Sequence, residues 1–387
     1  MIARGFIGAA MAAALALPAA AQDAYVVGVT GAMTGPAAGT NAPSVDGLRL
    51  YVDKLNAAGG VNGKQIRLVL QDDQGEPSKA AANAKKLLTQ DNVVLLINAS
   101  LSSTYAPVVA ETKRAQVPLL FVGAVCPKDV HPPADPLQFC TTAFGSGYDS
   151  RATLAWIKET AKEPVRIGFA AMAIPISRGE IDYAEEQSKT LGMTPVDKEV
   201  IPPPTPDYTP FATKLKDANP NWVFSWAPWV TQVKTFEALR KLGWDGDYIA
   251  WGHLEAESEL VRLKDQRFYV IGANSLSQEG LPIHREIVDA GKKANVSYPP
   301  ERITEGWIGG LVIEAALKTA GWPADPAKVR TALESLKVDT KGLRGGPLEW
   351  TKDNHFRTRQ YYRVYHWDAA KSAVAQATKD WVAYDVK

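Results

Sequence analysis

The chain has 387 residues, and its 43 lysines and arginines nearly balance 42 aspartates and glutamates, giving a formal net charge of +1. No block of like charge marks a nucleic-acid or anionic membrane surface, so we expect neither as a partner. The length is sufficient for two domains with full hydrophobic cores.

Residues 1–21 have the pattern of a secretory signal peptide. Arg4 precedes an apolar run over residues 6–17, and the small residues Ala19, Ala20 and Ala21 follow it. This run is too short to span a bilayer, so we predict cleavage near Ala21 and export to the periplasm; a retained interfacial anchor is the alternative. Nothing later in the sequence is apolar enough for a transmembrane helix.

The sequence contains two cysteines, Cys126 and Cys140. In an oxidising compartment we expect them to form a disulfide, and two separate buried thiols are the alternative. Closing a loop of this length contributes about 3 kcal/mol in the chain-entropy model.

Short apolar runs alternate with helical patterns, which predicts an α/β fold with parallel sheets and helices on both faces. The first series has strands at 25–30, 66–70, 93–97 and 119–122, with helices from Ser44 and at 77–90 and 104–115. The rhythm restarts with strands at 166–171, 196–201, 222–226, 248–251 and 268–271, and helices at 179–191, 211–218 and 230–242. Helices at 302–320 and 327–336 and a strand at 360–367 complete the prediction. Two such series imply two lobes.

Motifs for catalysis are missing from the sequence. It has no HExxH, no Cys/His cluster, no GxSxG, no P-loop and no GxGxxG after a strand. Asp72 and Asp73 are adjacent, and adjacent side chains on an extended chain point apart, which favours capping or salt bridging over acid–base chemistry. We therefore expect neither cofactor nor metal, and binding rather than catalysis, although a triad assembled from distant positions stays open.

Several motifs carry a family likeness. They are VGVTGAMTGP at 27–36, DG at 46–47, NAAGGVNGK at 56–64, QDD at 71–73, SST at 102–104, GPLEW at 346–350 and YHW at 365–367. Together they resemble the branched-chain amino-acid (Leu/Ile/Val) type of periplasmic binding protein, the receptors of ABC importers.

The resemblance implies two Rossmann-like lobes joined by three hinge crossovers, the type I periplasmic binding protein fold. Lobe 1 would comprise residues 23–142 plus 274–354, and lobe 2 residues 143–273 plus 355–387. The ligand would lie in the cleft, close the lobes and be delivered to a membrane permease. Ligands of open α/β sheets bind beyond the carboxyl ends of the strands, which agrees with this placement.

The loops expected at the cleft are 99–105, 123–126, 172–178, 227–229 and 251–253, with 35–41 at the rim. Ser102, Ser103 and Thr104 lie between a strand and the start of a helix, where backbone N–H groups and hydroxyls suit an anion. In the resembled family this motif holds the ligand carboxylate. An ordinary helix cap without a ligand is the alternative.

Two departures from the family argue against an amino-acid ligand. The loop that supplies a hydroxyl in relatives is Gly123 to Val125 here, which leaves only backbone groups. The carboxylate that holds the ligand ammonium is matched by His253, with Glu255 available if the alignment shifts. Histidine is a good donor to a carboxylate, carbonyl or phenol oxygen; a rim histidine bonded to backbone is the alternative.

Aromatic residues gather at the same loops. Tyr105, Trp226 and Trp251, with Trp229, could stack on a flat apolar ligand, and we place Trp226 and Trp251 in the pocket with a purely structural core role as the alternative. Arg178 is a second candidate carboxylate clamp, or else a solvated surface residue.

We therefore expect a monomeric solute receptor for a small carboxylate with an aromatic or apolar body. The alternative ligands are a branched-chain or other amino acid, or an amide. The alternative classes are a ligand sensor for a membrane kinase and a secreted hydrolase.

Overall fold

The computed structural model describes residues 24–142, 147–252 and 256–386. The predicted signal peptide, His253 and Glu255 lie outside these ranges. Within them, none of the helices combines the length and the apolar character needed to cross a bilayer.

The first sheet has five strands, all parallel, in the order β2-β1-β3-β4-β5. They are β1 Ala24–Gly31, β2 Gln65–Asp72, β3 Leu95–Ala99, β4 Leu119–Phe121 and β5 Gln138–Cys140. The helices along this part of the chain are α1 Ala38–Ala57, α2 Pro77–Thr89 and α3 Tyr105–Ala115. The strand order reverses between β1 and β3, so the helices that follow these two strands leave to opposite faces.

The second sheet repeats this arrangement and adds antiparallel strands. Its order is β14-β13-β10-β9-β8-β6-β7, with β15 paired to β13. The strands are β6 Arg166–Met172, β7 Thr194–Ile201, β8 Trp222–Trp226, β9 Asp247–Trp251, β10 Phe268–Gly272, β13 Arg359–Asp368, β14 Ala373–Gln376 and β15 Val382–Asp385. Strands β6 to β10 are mutually parallel and reverse order between β6 and β8. The fold is therefore α/β with two parallel-sheet cores, as predicted.

The remaining helices cover the two sheets. They are α4 Tyr148–Thr160, α5 Pro175–Thr190, α6 Thr209–Asp217, α7 Trp229–Lys241, α8 Ala256–Leu263, α9 Pro282–Lys293, α10 Thr304–Ala320 and α11 Pro326–Leu333. Helices α9 to α11 share one hydrophobic core with the first sheet, in which Trp307 and Trp350 are buried. A small ladder of β11 Lys337–Val338 and β12 Leu348–Glu349 lies nearby in sequence. The residue boundaries of the two lobes stay a prediction.

Two predicted helix starts were wrong. Helix α1 begins at Ala38, so Ser44 lies inside it and caps nothing. Helix α5 begins at Pro175, which occupies the first turn where proline is favoured, so Arg178 lies in the helix and not in a loop. The sequence prediction also missed β5, α4, α8, α9, β11, β12, β14 and β15.

Candidate ligand-binding cleft

One cavity lies where the carboxyl ends of both sheets meet. Loops after β1, β3 and β4 of the first sheet and after β6, β8 and β9 of the second line it. Its lining residues are Thr40, Asn41, Ser100, Leu101, Ser102, Tyr105, Gly123, Ala124, Val125, Ile174, Ile176, Trp226, Ala227, Pro228 and Trp251. The strand order of each sheet reverses at this edge, which is where open α/β sheets place their ligands.

The cleft is nearly closed. The cavity measures about 40 Å³, which corresponds to about three water molecules. The backbone N–H of Ile176, in helix α5, donates to Ser102 Oγ across the cleft at 3.5 Å. A ligand larger than a few atoms therefore needs the two sheets to move apart before it enters.

The turn after β3 is built by buried side chains. Asn98 accepts from the N–H of Ser100 at 3.0 Å through Oδ1, and its Nδ2 donates to Thr104 Oγ1 at 3.2 Å. Thr104 in turn donates to the carbonyl of Leu101 at 2.7 Å. The Thr104 hydroxyl therefore stabilises the turn. Of Ser102, Ser103 and Thr104, which were predicted to bind a carboxylate, only Ser102 lines the cavity.

Asp73 stabilises this turn through a hydrogen bond with Ser100. Its Oδ1 accepts from Ser100 Oγ at 2.7 Å and its Oδ2 from Thr30 Oγ1 at 2.9 Å. Burial raises the pKa of Asp73 above its ordinary value, and these hydroxyls partly oppose that rise. Asp72 accepts from the N–H of Met33 at 3.0 Å and organises the preceding loop. The two carboxylates thus hold turns through hydrogen bonds, and neither caps α2, whose N-cap residue is Glu76.

Tyr105 and Gly123 shape the wall on the first-sheet side. The Tyr105 hydroxyl donates to the Val125 carbonyl at 2.7 Å, and burial raises the pKa of this phenol far above its ordinary value, so it remains a donor. The carbonyl of Val125 is therefore already engaged. Gly123 has φ +62°, and a Cβ there would collide with Ser44 Oγ, so only glycine fits this approach of the loop to α1.

Two indole rings form the wall on the second-sheet side. Trp226 ends β8 and Trp251 ends β9, and their ring centroids are 4.7 Å apart at 30°. Trp226 Nε1 donates to Asp149 Oδ2 at 3.0 Å, and the Tyr362 hydroxyl donates to Asp149 Oδ1 at 2.6 Å. The side chain of Gln232 bonds both the N–H and the carbonyl of Trp251 at 2.9 Å. Asp149 thus holds the ring of Trp226, and Gln232 holds the backbone of Trp251.

Other predicted site residues lie elsewhere. Arg178 is exposed on α5 and does not line the cavity, because the helix starts early enough to carry its side chain outward. Ser103 is also outside the lining. Trp229 packs in a separate core, 6.2 Å from Phe268 between ring centroids. His253 lies outside the described residues. Among the described residues no group of His, Cys, Asp and Glu could hold a metal ion.

Some residues of the cleft were anticipated only as loops. The ranges 35–41, 172–178 and 227–229 were predicted, and they supply Asn41, Ile174 and Pro228 among others. Asp149 and Gln232 were missed entirely, because they act on the tryptophans from helices whose sequence gives no sign of that contact.

The predicted disulfide is present between Cys126 and Cys140, with a sequence separation of 14 residues. It links the loop after β4 to the end of β5, directly after the cavity residue Val125.

Two sheets with parallel-strand cores and a shared cavity at the carboxyl ends of those strands define a two-lobed α/β binding protein. A family model described as periplasmic binding protein matches residues 24–373, and the chain belongs to this family. The resemblance noted in the sequence is confirmed. Because this is a family of binding proteins, the expectation that the chain is not an enzyme is also confirmed.

Individual relatives are distant. The Leu/Ile/Val-binding protein of Escherichia coli K12 is 23% identical over 96% of this chain and 98% of its own. A branched-chain amino acid ABC transporter protein of Thermus thermophilus, solved with bound valine, has a TM-score of 0.80 at 16% identity, covering 93% and 96% of the two chains. A solute binding protein of an ABC transporter from Rhodopseudomonas palustris BisB5, in complex with 3,4-dihydroxybenzoic acid, has a TM-score of 0.80 at 19% identity, covering 94% and 98%.

Proposed function

We propose that the protein is a periplasmic solute receptor that captures a small carboxylate-bearing ligand by cleft closure and delivers it to the permease of an ABC importer. The observation that carries this proposal is a cavity lined from the carboxyl ends of both sheets and bridged by the contact of Ser102 with Ile176. We also propose that the protein is exported, that its signal peptide is cleaved near Ala21, and that it is a monomer. Lobe 1 would comprise residues 23–142 plus 274–354, and lobe 2 residues 143–273 plus 355–387.

An apolar amino acid is the ligand class we place first. The relatives named for their ligands are mostly binders of branched-chain amino acids, which favours this alternative over the aromatic acid expected from the sequence. Ser102 lies at the start of a helical turn, where N–H groups suit a carboxylate. Ile174, Ile176 and Val125 supply apolar surface for an aliphatic side chain.

An aromatic acid is the second candidate, and the paired rings of Trp226 and Trp251 favour it. No acidic side chain is present among the described residues that line the cavity, whereas an ammonium group in a buried site needs an acceptor or a counter-charge. One solved structural neighbour contains 3,4-dihydroxybenzoic acid.

The test is a thermal-shift and calorimetric panel of L-leucine, L-valine, benzoate and 4-hydroxybenzoate. A ligand at 100 times its dissociation constant should stabilise the protein by about 2.7 kcal/mol. Ser102→Ala should weaken carboxylate binding about tenfold through the lost hydrogen bond. Ser78→Ala, an exposed serine on α2, is the matched control and should bind as the parent does. No binding by any panel member, or equal binding by Ser102→Ala, would contradict the proposal.

A sensor role would use the same cleft and the same closure. Pull-down with a permease or with a membrane kinase separates the two roles. A hydrolase would turn over a bound ester or amide, whereas stoichiometric binding without turnover is the outcome that our proposal predicts.

A further inference from the structure

The side chain of Asn41 lines the cavity from the first turns of α1, and its amide oxygen has no hydrogen-bond partner among the described residues. Asn41 is 3% exposed. An acceptor buried in this way carries an unrecovered desolvation penalty unless something else donates to it. One helical turn further on, Ser44 Oγ is also buried without a partner in the described structure.

The other buried polar side chains at the cavity are already engaged. The Tyr105 hydroxyl donates to Val125, Trp226 Nε1 donates to Asp149, and Ser100 Oγ donates to Asp73. Asn41 Oδ1 on α1 is therefore a hydrogen-bond acceptor in the cleft that has no partner among the described residues. It is separate from the Ser102 turn after β3.

We propose that Asn41 Oδ1 accepts a hydrogen bond from the bound ligand, and that the ligand therefore carries an N–H or O–H donor besides its carboxylate. This inference rests on the proposed function, because it needs a ligand in this cleft. The donor would be the ammonium of an amino acid or the hydroxyl of a phenolic acid, and a plain aliphatic or aromatic acid would leave the Asn41 oxygen unpaired. A site built to pair with a ligand donor discriminates strongly against the analogue that lacks it.

The same contact bears on the absence of an acidic side chain among the described residues that line the cavity. An amide oxygen accepts a hydrogen bond without adding a buried charge, so it serves a neutral hydroxyl as readily as an ammonium. Recognition of the donor would then come from α1 of the first lobe, at a position next to Thr40 on the cavity rim.

The test uses calorimetry on two matched ligand pairs, L-leucine with 4-methylpentanoate and 4-hydroxybenzoate with benzoate. In each pair only the first member has the donor. For the pair that the protein binds, the donor-bearing member should bind about 5- to 150-fold more tightly. Asn41→Leu, which keeps the bulk and removes the acceptor, should abolish most of that preference.

Asn41→Asp is the second variant, because it keeps the acceptor and loses the amide donor. It should retain the preference for the donor-bearing ligand, most strongly for leucine. Retention of the full preference in Asn41→Leu would overturn the inference, and so would loss of the preference in a folded Asn41→Asp. So would a parent protein that binds both members of a pair equally, which is a measurement that needs no variant.

Failure of the inference is distinguishable from failure of the proposed function. Binding without discrimination between pair members overturns the role of Asn41 and leaves the solute receptor standing. Absence of binding to all four compounds counts against the receptor proposal and against the Asn41 contact with it.

Discussion

His131 should make the protein sensitive to mild acid. It lies in the segment closed by the Cys126–Cys140 disulfide, and its ring packs 5.5 Å from Tyr148 and 4.5 Å from Phe356 between centroids. Neither ring nitrogen has a hydrogen-bond partner among the described residues. Burial, together with the charges of Arg357 and Arg151, lowers the pKa of His131 to about 4.

The sign and size of the effect follow from linkage. An unfolded histidine titrates near pH 6.5, so below that pH the unfolded chain binds a proton that the folded protein does not. The free energy of unfolding therefore falls as the pH drops from about 6.5 towards 4. At pH 4.5 the loss from this one group is about 2.5 kcal/mol relative to neutral pH.

His131→Phe removes the titration and keeps an aromatic ring against Tyr148 and Phe356. Urea unfolding of both proteins at pH 7.5 and pH 4.5 gives the four free energies needed. The variant should lose about 2.5 kcal/mol less than the parent between the two pH values. Parallel losses would refute the assignment of a strongly lowered pKa to this histidine, because all other titrating groups are common to both proteins.

Variants at three further contacts test the framework around the cleft by urea unfolding. Replacing both Cys126 and Cys140 by alanine should lower the free energy of unfolding by about 3 kcal/mol, and a reductant should then have no further effect. Arg344 donates to both carboxylate oxygens of Glu305, at 2.9 and 3.0 Å. Glu305→Gln leaves the buried charge of Arg344 without its counter-ion and should lower the free energy of unfolding by about 3–5 kcal/mol. The double variant Glu305→Leu with Arg344→Met should lose less, and a larger loss in the double variant would contradict this. Trp226→Phe removes one hydrogen bond to a buried carboxylate and should cost about 1–3 kcal/mol, whereas an unchanged midpoint would show that the bond contributes nothing.

Strand prediction succeeded where the sequence pattern is strongest. Parallel strands buried on both faces are nearly continuous apolar runs, and β8 was predicted with the bounds that the structure gives it. Helix starts were harder. Proline at the first helical position correctly predicts the start of α2. Pro175 has the same position in α5, but the predicted helix begins only at residue 179, which wrongly placed Arg178 in a cleft loop.

The candidate site was predictable as a set of loops and not as a set of contacts. The rule that ligands bind beyond the carboxyl ends of parallel strands selected the loops that line the cavity. Which side chains face inward depends on partners remote in sequence. Asp149 and Trp226 are 77 positions apart, and Thr104 was drawn away from the cavity by Asn98. Nothing in the local sequence encodes those pairings.

The proposed receptor function requires a ligand bound between the two sheets. Hydrogen exchange of the protein, with and without the panel compound that binds it most tightly, tests this directly. We predict slowed exchange in both 100–105 and 123–125 of the first sheet and both 174–176 and 226–228 of the second. Slowed exchange confined to one sheet, or located outside these loops, would contradict the account.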